Sequence, residues 1–262
     1  MDVFMEKVVY MRTFLFFILA GLCFCSFTPL PEAGPIRTLI IDAGHGGKDP
    51  GAIGSQFREK DITLKVALKL RDLMREQMPE VKVVLTRETD VFIELHRRGE
   101  IAIENEGDFF ISIHCNAMKL KDRRGAETYV LGVNNGQEGY ETVIAENEAI
   151  LFEKNYLDEY GGFDPRSPEA YIFFKLMKNV FRNESSRLAG KIQEQYTSTI
   201  PRVDRGVKQA PFVVLYMSGM PSVLTEIGFV SNPEDEQFIG SETGQTYIAA
   251  SIVRALQAYN QE

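Results

Sequence analysis

The sequence predicts an α/β fold: a single domain with a central, mostly parallel sheet flanked by helices, and a helical insertion. Three observations carry that prediction. Short apolar runs alternate with amphipathic stretches of helical spacing, the pattern of strands joined by crossover helices. The run Phe109-Phe110-Ile111-Ser112-Ile113 is apolar almost throughout, as expected of a strand covered on both faces. Finally, His45, His114 and Glu226 stand at the ends of three such runs. Carboxyl ends of parallel strands line up along one edge, so these residues become neighbours there.

The elements follow in order. Residues 28–36 carry Pro29, Pro31 and Pro35 and read as an extended leader. The first strand covers about Thr38 to Asp42, and a glycine-rich loop with His45 runs to Arg58. A helix opens at Glu59-Lys60-Asp61, with Ile62, Val66, Leu70 and Leu73 on one face, and Pro79 closes it. Asp61 suits the positive end of the helix dipole. Val81–Thr86 reads as a second strand, 93–105 as a helix offering Leu95, Ala102 and Ile103 to the core, and Phe109–Ile113 as the third strand. Gly125–Val130 is a fourth strand. Beyond it, glycines and prolines interrupt an acidic helix candidate at about 141–156, and a clearer amphipathic helix covers Glu169–Tyr196. Pro211–Leu215 and Ser222–Thr225 are strand-like, Pro233 opens a short helix, and 244–259 forms the last one.

The chain has 262 residues and a formal charge of −8, enough for one substantial core. An acidic chain lacks the positive footprint of a sequence-independent nucleic-acid binder. Its three cysteines cannot build a disulfide framework, and without a CxxC pair a thiolate zinc site has no basis. Residues 1–27 read as a secretory signal peptide: Lys7 and Arg12 precede an apolar stretch, Phe14–Phe24, too short to span a bilayer comfortably. Met11 is an alternative start, and an uncleaved anchor is the competing reading. The expected destination lies across the inner membrane, in the periplasm or at the cell surface, with no transmembrane span in the mature form.

Catalytic zinc sites use three nitrogen or oxygen ligands and leave a position for water. His45 and His114 offer two nitrogens. Glu59 is the best third ligand, because its helix directly follows the His45 loop. Each residue alone has a plainer role: a loop hydrogen-bonder, a strand-end histidine, a helix N-terminal charge. Jointly those plainer roles weaken. The remaining histidine, His96, lies in a charged helical stretch and reads as a solvated or packing residue. Glu226 is one carboxylate inside an apolar run, so it needs a partner or an unusual pKa. An internal salt bridge to Arg98 or Arg205 is one explanation; acid/base chemistry beside a metal is the other.

Several blocks together resemble the zinc-dependent N-acetylmuramoyl-L-alanine amidases of bacterial cell-wall turnover. They are Ile40–Gly47 with Asp49-Pro50-Gly51, Glu59-Lys60-Asp61, Phe110–Ala117, Arg205–Ala210 and Pro221–Asn232, in the family's order. Cys115 and Thr225 are small departures that do not touch the expected ligands. The resemblance implies an amidase catalytic domain over 37–260, with zinc on His45, Glu59 and His114 and Glu226 as the catalytic carboxylate. It implies cleavage of the amide between N-acetylmuramic acid and L-alanine in peptidoglycan. A zinc peptidase of the stem peptide and a non-catalytic wall-binding regulator are the competing functions.

The segment 132–198 exceeds what a strand connection needs. Some family members carry a helix here that covers the active site until a partner displaces it. By that likeness residues 141–160 are an autoinhibitory helix, with Glu146 or Glu148 on the open zinc position and an activator protein as partner. A substrate-binding or decorative insertion is the alternative.

Overall fold

A computed structural model of the chain describes residues 34–133, 137–172, 174, 179–199 and 202–262. The signal peptide and most of the leader therefore lie outside the described residues. Pro35–Glu262 form one compact unit. Its strands are β1 (Thr38–Ala43), β2 (Lys82–Leu85), β3 (Phe109–Asn116), β4 (Ala126–Leu131), β5 (Asp204–Ala210) and β6 (Ser222–Phe229). They make one six-stranded sheet in the order β2-β1-β3-β6-β4-β5. All neighbours are parallel except β4 and β6, which run antiparallel. The mostly parallel sheet is thus observed, with one reversal at β6–β4.

The order places β2 and β3 on opposite sides of β1. The connection leaving the carboxyl end of β1 runs to β2 on one side and that leaving β3 runs toward β4 on the other, which opens a crevice between them. The loop after β1 carries His45, and β3 carries His114.

Side chains alternate across each strand, so the sheet feeds two cores. Leu39, Ile41, Phe109, Ile111 and Ile113 pack against α1 (Glu59–Gln77), the helix Arg182–Thr199 and the final helix Glu242–Asn260. In α1 the predicted stripe holds: Ile62, Val66 and Leu70 are buried, and Leu73 packs at the margin. Ile40, Phe110, Tyr129 and Leu224 face the other way. They meet α2 (Leu95–Glu104) and the insertion, whose Val143, Ala149 and Ile150 are buried in this second core. Leu95 and Ala102 serve that core as expected, whereas Ile103 is exposed.

The insertion differs from its sequence reading. The helix expected at 141–156 is α3 (Gln137–Asn147), a 3-10 turn at Glu148–Phe152 and a short α4 (Tyr156–Glu159). Asn147 ends α3 because its side chain turns to other partners, accepting from Val213 N–H and donating to the Pro211 carbonyl. Of the helix expected over Glu169–Tyr196, the described residues show a 3-10 turn at Pro168–Tyr171, helical backbone at Ile172 and Phe174, and α5 (Arg182–Thr199).

Pro211–Leu215 is not a strand. Pro211 lacks the N–H that a ladder needs, and Val213–Met217 coil into the one-turn α6. The strand is the polar segment before it, β5, whose edge position tolerates charge. The chain ends on α7 (Pro233–Gly240), with Pro233 in its first turn as expected, and α8 (Glu242–Asn260). Asn232 caps α7 through Glu234 N–H and Asp235 N–H. Among the described residues no helix is long and apolar enough to cross a membrane.

Candidate metal centre

His45 sits just past β1 with φ +61°, a left-handed backbone that non-glycine residues rarely adopt. Its Nδ1 faces Asp49 Oδ2 at 2.8 Å, and Asp49 Oδ1 accepts Gly51 N–H at 3.0 Å. That carboxylate fixes the ring so that Nε2 points inward. Glu59 is the first residue of α1 and fully buried. Its Oε2 accepts Ala52 N–H and its Oε1 accepts Cys115 N–H, both at 2.8 Å. The loop between His45 and Glu59 can close this tightly because of its glycines. A Cβ at Gly51 would lie 2.5 Å from the His45 ring and 2.7 Å from Glu59 Oε2. At Gly44 it would lie 2.4 Å from the His114 ring.

The inward atoms converge. Glu59 Oε1 is 3.1 Å from His45 Nε2 and 3.1 Å from His114 Nδ1. A fourth residue completes the group: Glu146 Oε2, on α3 of the insertion, is 3.1 Å from His45 Nε2 and 2.7 Å from His114 Nδ1. One ligand atom from each of His45, Glu59, His114 and Glu146 lies within 4.8 Å of the others, and all four residues are buried. His45 Nε2 and Glu146 Oε2 are buried yet have no partner in hydrogen-bond geometry among the described residues. Two imidazole nitrogens and two carboxylates around one point, with unsatisfied atoms aimed at it, are the donor set of a divalent cation such as zinc.

Charge behaves accordingly. Burial opposes a proton on His45, but Glu59 and Glu146 hold its pKa well above the usual histidine range. Burial opposes His114 too, and Glu146 and Glu59 push it up to about 9. Burial would raise Glu59, whereas His45 and His114 hold it below the ordinary carboxylate range. The cluster thus demands positive charge at its centre, which protons or a cation can supply.

Glu226 does not end its strand; it lies inside β6, because the strand continues to Phe229. It is register partner of His114 on one side and of Glu127 on the other. Partners in register project to one face, so Glu226 shares the face of the cluster. It is fully buried, and neither carboxylate oxygen has a hydrogen-bond partner among the described residues. Burial raises its pKa well above the ordinary range, helped by Glu146, Glu59 and Glu127.

Neither arginine raised as a salt-bridge partner for Glu226 pairs with it. Arg98 Nη1 donates to Asp42 Oδ1 at 2.8 Å, and Arg205 Nε donates to Glu127 Oε2 at 2.8 Å. Glu127, which the sequence reading passed over, is a buried hub that also takes Lys208, Tyr129 Oη and Asn116 Nδ2. A charged residue in an otherwise apolar strand was its only signal. His96 is a packing residue, with Nδ1 3.2 Å from Glu153 Oε2. Glu148 points outward to Arg166 and is not part of the cluster.

A buried histidine–carboxylate cluster at the carboxyl edge of an α/β sheet, beside an unpaired carboxylate, has the make-up of a metallohydrolase centre. The chain belongs to the N-acetylmuramoyl-L-alanine amidase family, whose model matches residues 39–258. It is 32% identical to the amidase AmiC of Escherichia coli over 87% of this chain and 54% of that protein. It is 30% identical to E. coli AmiA over 87% of this chain and 78% of the relative. It also resembles the uncharacterised protein YqiI of Bacillus subtilis, at 34% identity over 91% of this chain and 95% of the other. The chain thus spans about half of AmiC and nearly all of YqiI. Among solved structures, an N-acetylmuramoyl-L-alanine amidase from Clostridium difficile superposes with a TM-score of 0.64 at 28% identity, covering 88% of this chain and 99% of that one. The CwlD amidase of Clostridioides difficile, solved with the GerS lipoprotein, gives 0.61 at 28% identity, covering 86% and 98%.

Proposed function

We propose that this amidase hydrolyses the amide between N-acetylmuramic acid and L-alanine in peptidoglycan, with zinc held by His45, Glu59 and His114. It would serve cell-wall turnover or daughter-cell separation. The observation that carries the zinc site is the convergence of those residues on one buried point with unsatisfied atoms facing it. Zinc held by His45, Glu59 and His114 would supply Lewis-acid chemistry for the scissile carbonyl and for water near neutral pH.

The chain's own residues do the rest. Asp49 and the Cys115 N–H orient His45 and Glu59 before any cation arrives. Glu226, uncommitted to any hydrogen bond among the described residues, takes a proton from the attacking water at one carboxylate oxygen and passes it to the leaving amine nitrogen.

The insertion supports a regulated enzyme. On this reading Glu146, which lies beside His45 and His114, takes the position that substrate and water would use, and an activator protein would displace it. Residues 1–27 are proposed to direct the chain across the inner membrane, to the periplasm or cell surface. The test is a peptidoglycan digest analysed by mass spectrometry, with and without a chelator. Glycan freed of intact stem peptides, lost on chelation, supports the amidase. Cuts within stem peptides would indicate a peptidase, and no release with zinc bound would indicate a regulator.

A further inference from the structure

Among the described residues the largest fully buried side chain is Arg98 on α2, 1% exposed. Nη1 donates to Asp42 Oδ1 at 2.8 Å and to the Ala43 carbonyl at 2.9 Å. Nη2 donates to the His45 carbonyl at 2.9 Å, and Nε to the Ile93 carbonyl at 3.0 Å. Asp42 is itself pinned, accepting Thr86 Oγ1 at 2.6 Å and Ser112 Oγ at 2.7 Å. A second buried guanidinium, Arg87, donates to the Ala43 carbonyl at 2.9 Å and the Gly44 carbonyl at 2.8 Å. The carbonyls of Ala43, Gly44 and His45 are therefore all held from behind by two cations.

Such an arrangement is costly. Burial and the neighbouring Arg98 charge push Arg87 down to about 10. Two guanidinium groups are an expensive way to finish a strand unless the backbone beyond it has to be held. That backbone is His45, in its strained left-handed conformation.

We propose that Arg98 is a positioning residue for the metal centre: by donating to the His45 carbonyl while anchored on Asp42, it holds the strained His45 backbone that presents Nε2 to the cation. The inference rests on the zinc reading above. A lysine at 98 keeps the charge and can reach Asp42. It cannot span Asp42, the Ala43 carbonyl and the His45 carbonyl at once, because an ammonium is not a planar fork.

The experiment is zinc affinity of the whole chain by chelator competition, with the ligand-field spectrum of the cobalt-substituted protein and the melting temperature of the metal-free form. Arg98→Lys is expected to lose about 10- to 100-fold in zinc affinity, the size of effect typical of groups that orient a ligand, and to change the cobalt spectrum. Thr86→Val removes a hydrogen bond from the same Asp42 without touching the guanidinium contact to His45. It should lower the melting temperature and leave zinc affinity within about twofold, inside the scatter of such measurements. Equal affinity losses in the two variants would mean that Arg98 is only structural, and the inference falls. So it does if folded Arg98→Lys binds zinc like the wild type. If Arg98→Lys does not fold, Asp42→Asn carries the same test through a weakened anchor: lost affinity supports the inference and unchanged affinity overturns it. Wild-type protein that takes up no zinc overturns the metal reading first, and the inference with it.

Discussion

Glu146 Oε2 lies 2.7 Å from His114 Nδ1, closer than Glu59 Oε1 does at 3.1 Å. A residue of the insertion thus stands nearer to the second histidine than the helix residue proposed as its co-ligand. On the autoinhibitory reading, substrate and Glu146 compete for that space. Glu146→Ala should therefore raise the rate of peptidoglycan release by about tenfold or more, which corresponds to removing roughly 1.4 kcal/mol of closure. Zinc content should stay near one equivalent per chain. A point substitution is the right probe, since deleting 137–166 would strip Val143, Ala149 and Ile150 from the second core. A dye-release assay on labelled sacculi measures the effect, and an unchanged or lower rate would remove the autoinhibitory role.

Glu226→Gln should keep the fold and the zinc and lose the reaction. The amide is isosteric, and the carboxylate it replaces makes no hydrogen bond among the described residues that folding would miss. General acid–base groups contribute about 10²–10⁴-fold, so kcat should fall by that much with KM little changed. Zinc analysis of the same preparation separates this outcome from His114→Ala, which should lose metal and activity together. A Glu226→Gln protein that still releases stem peptides would move the proton chemistry elsewhere.

Much of this was legible in the sequence, for physical reasons. Apolar runs such as Phe109–Ile113 belong in the interior, where a strand covered on both faces is one way to bury them, and a periodic stripe such as Ile62, Val66 and Leu70 faces a core. His45 and His114 were found as polar residues at the ends of apolar runs, and Glu59 as the first residue of the helix that follows the His45 loop. Glu146 was singled out only as one of two acids in a helix, because whether a side chain points in or out depends on where that helix docks. Glu127, Arg87 and the Arg98–Asp42 pair were harder still. Their pairings Arg87–Ala43, Arg98–Asp42 and Glu127–Lys208 span 44, 56 and 81 residues of chain, and no local pattern encodes such a pairing. The failure at Pro211–Leu215 has the opposite cause: β-prone residues were read by propensity, while the strand itself was the polar β5 that the sheet edge allowed.

The metal-free protein should lose stability as pH rises. His114 has its folded pKa raised from the ordinary histidine value of 6.5 to about 9, so its proton binds more tightly in the folded state. The stability this contributes is complete below about pH 6.5 and disappears as pH climbs through about 9. His45 shifts in the same direction. Zinc replaces those protons, so its affinity should rise across the same window while the zinc-loaded melting temperature stays flatter. Calorimetric scans of the chelated and loaded forms between pH 6 and 9 check this, and parallel curves would argue against proton–metal exchange at the cluster.

The insertion is tied down at Glu153. This buried carboxylate accepts Leu95 N–H at 2.9 Å at the start of α2, lies 3.2 Å from His96 Nδ1, and accepts Tyr160 Oη at 2.9 Å. Nearby, Lys48 on the His45 loop donates to the Phe152 carbonyl and lies over the Phe92 ring. A carboxylate on a helix N-terminus is stabilised by the dipole there and leaves buried donors unmet when removed. Glu153→Ala should therefore loosen the segment that carries Glu146 at a cost of about 1–3 kcal/mol, without touching the zinc ligands. Limited proteolysis should then cut within 148–163 faster than in the wild type, and the basal amidase rate should rise in step. If cleavage accelerates while the rate does not, Glu153 holds the insertion for stability alone, and closure over the metal centre depends on Glu146 itself.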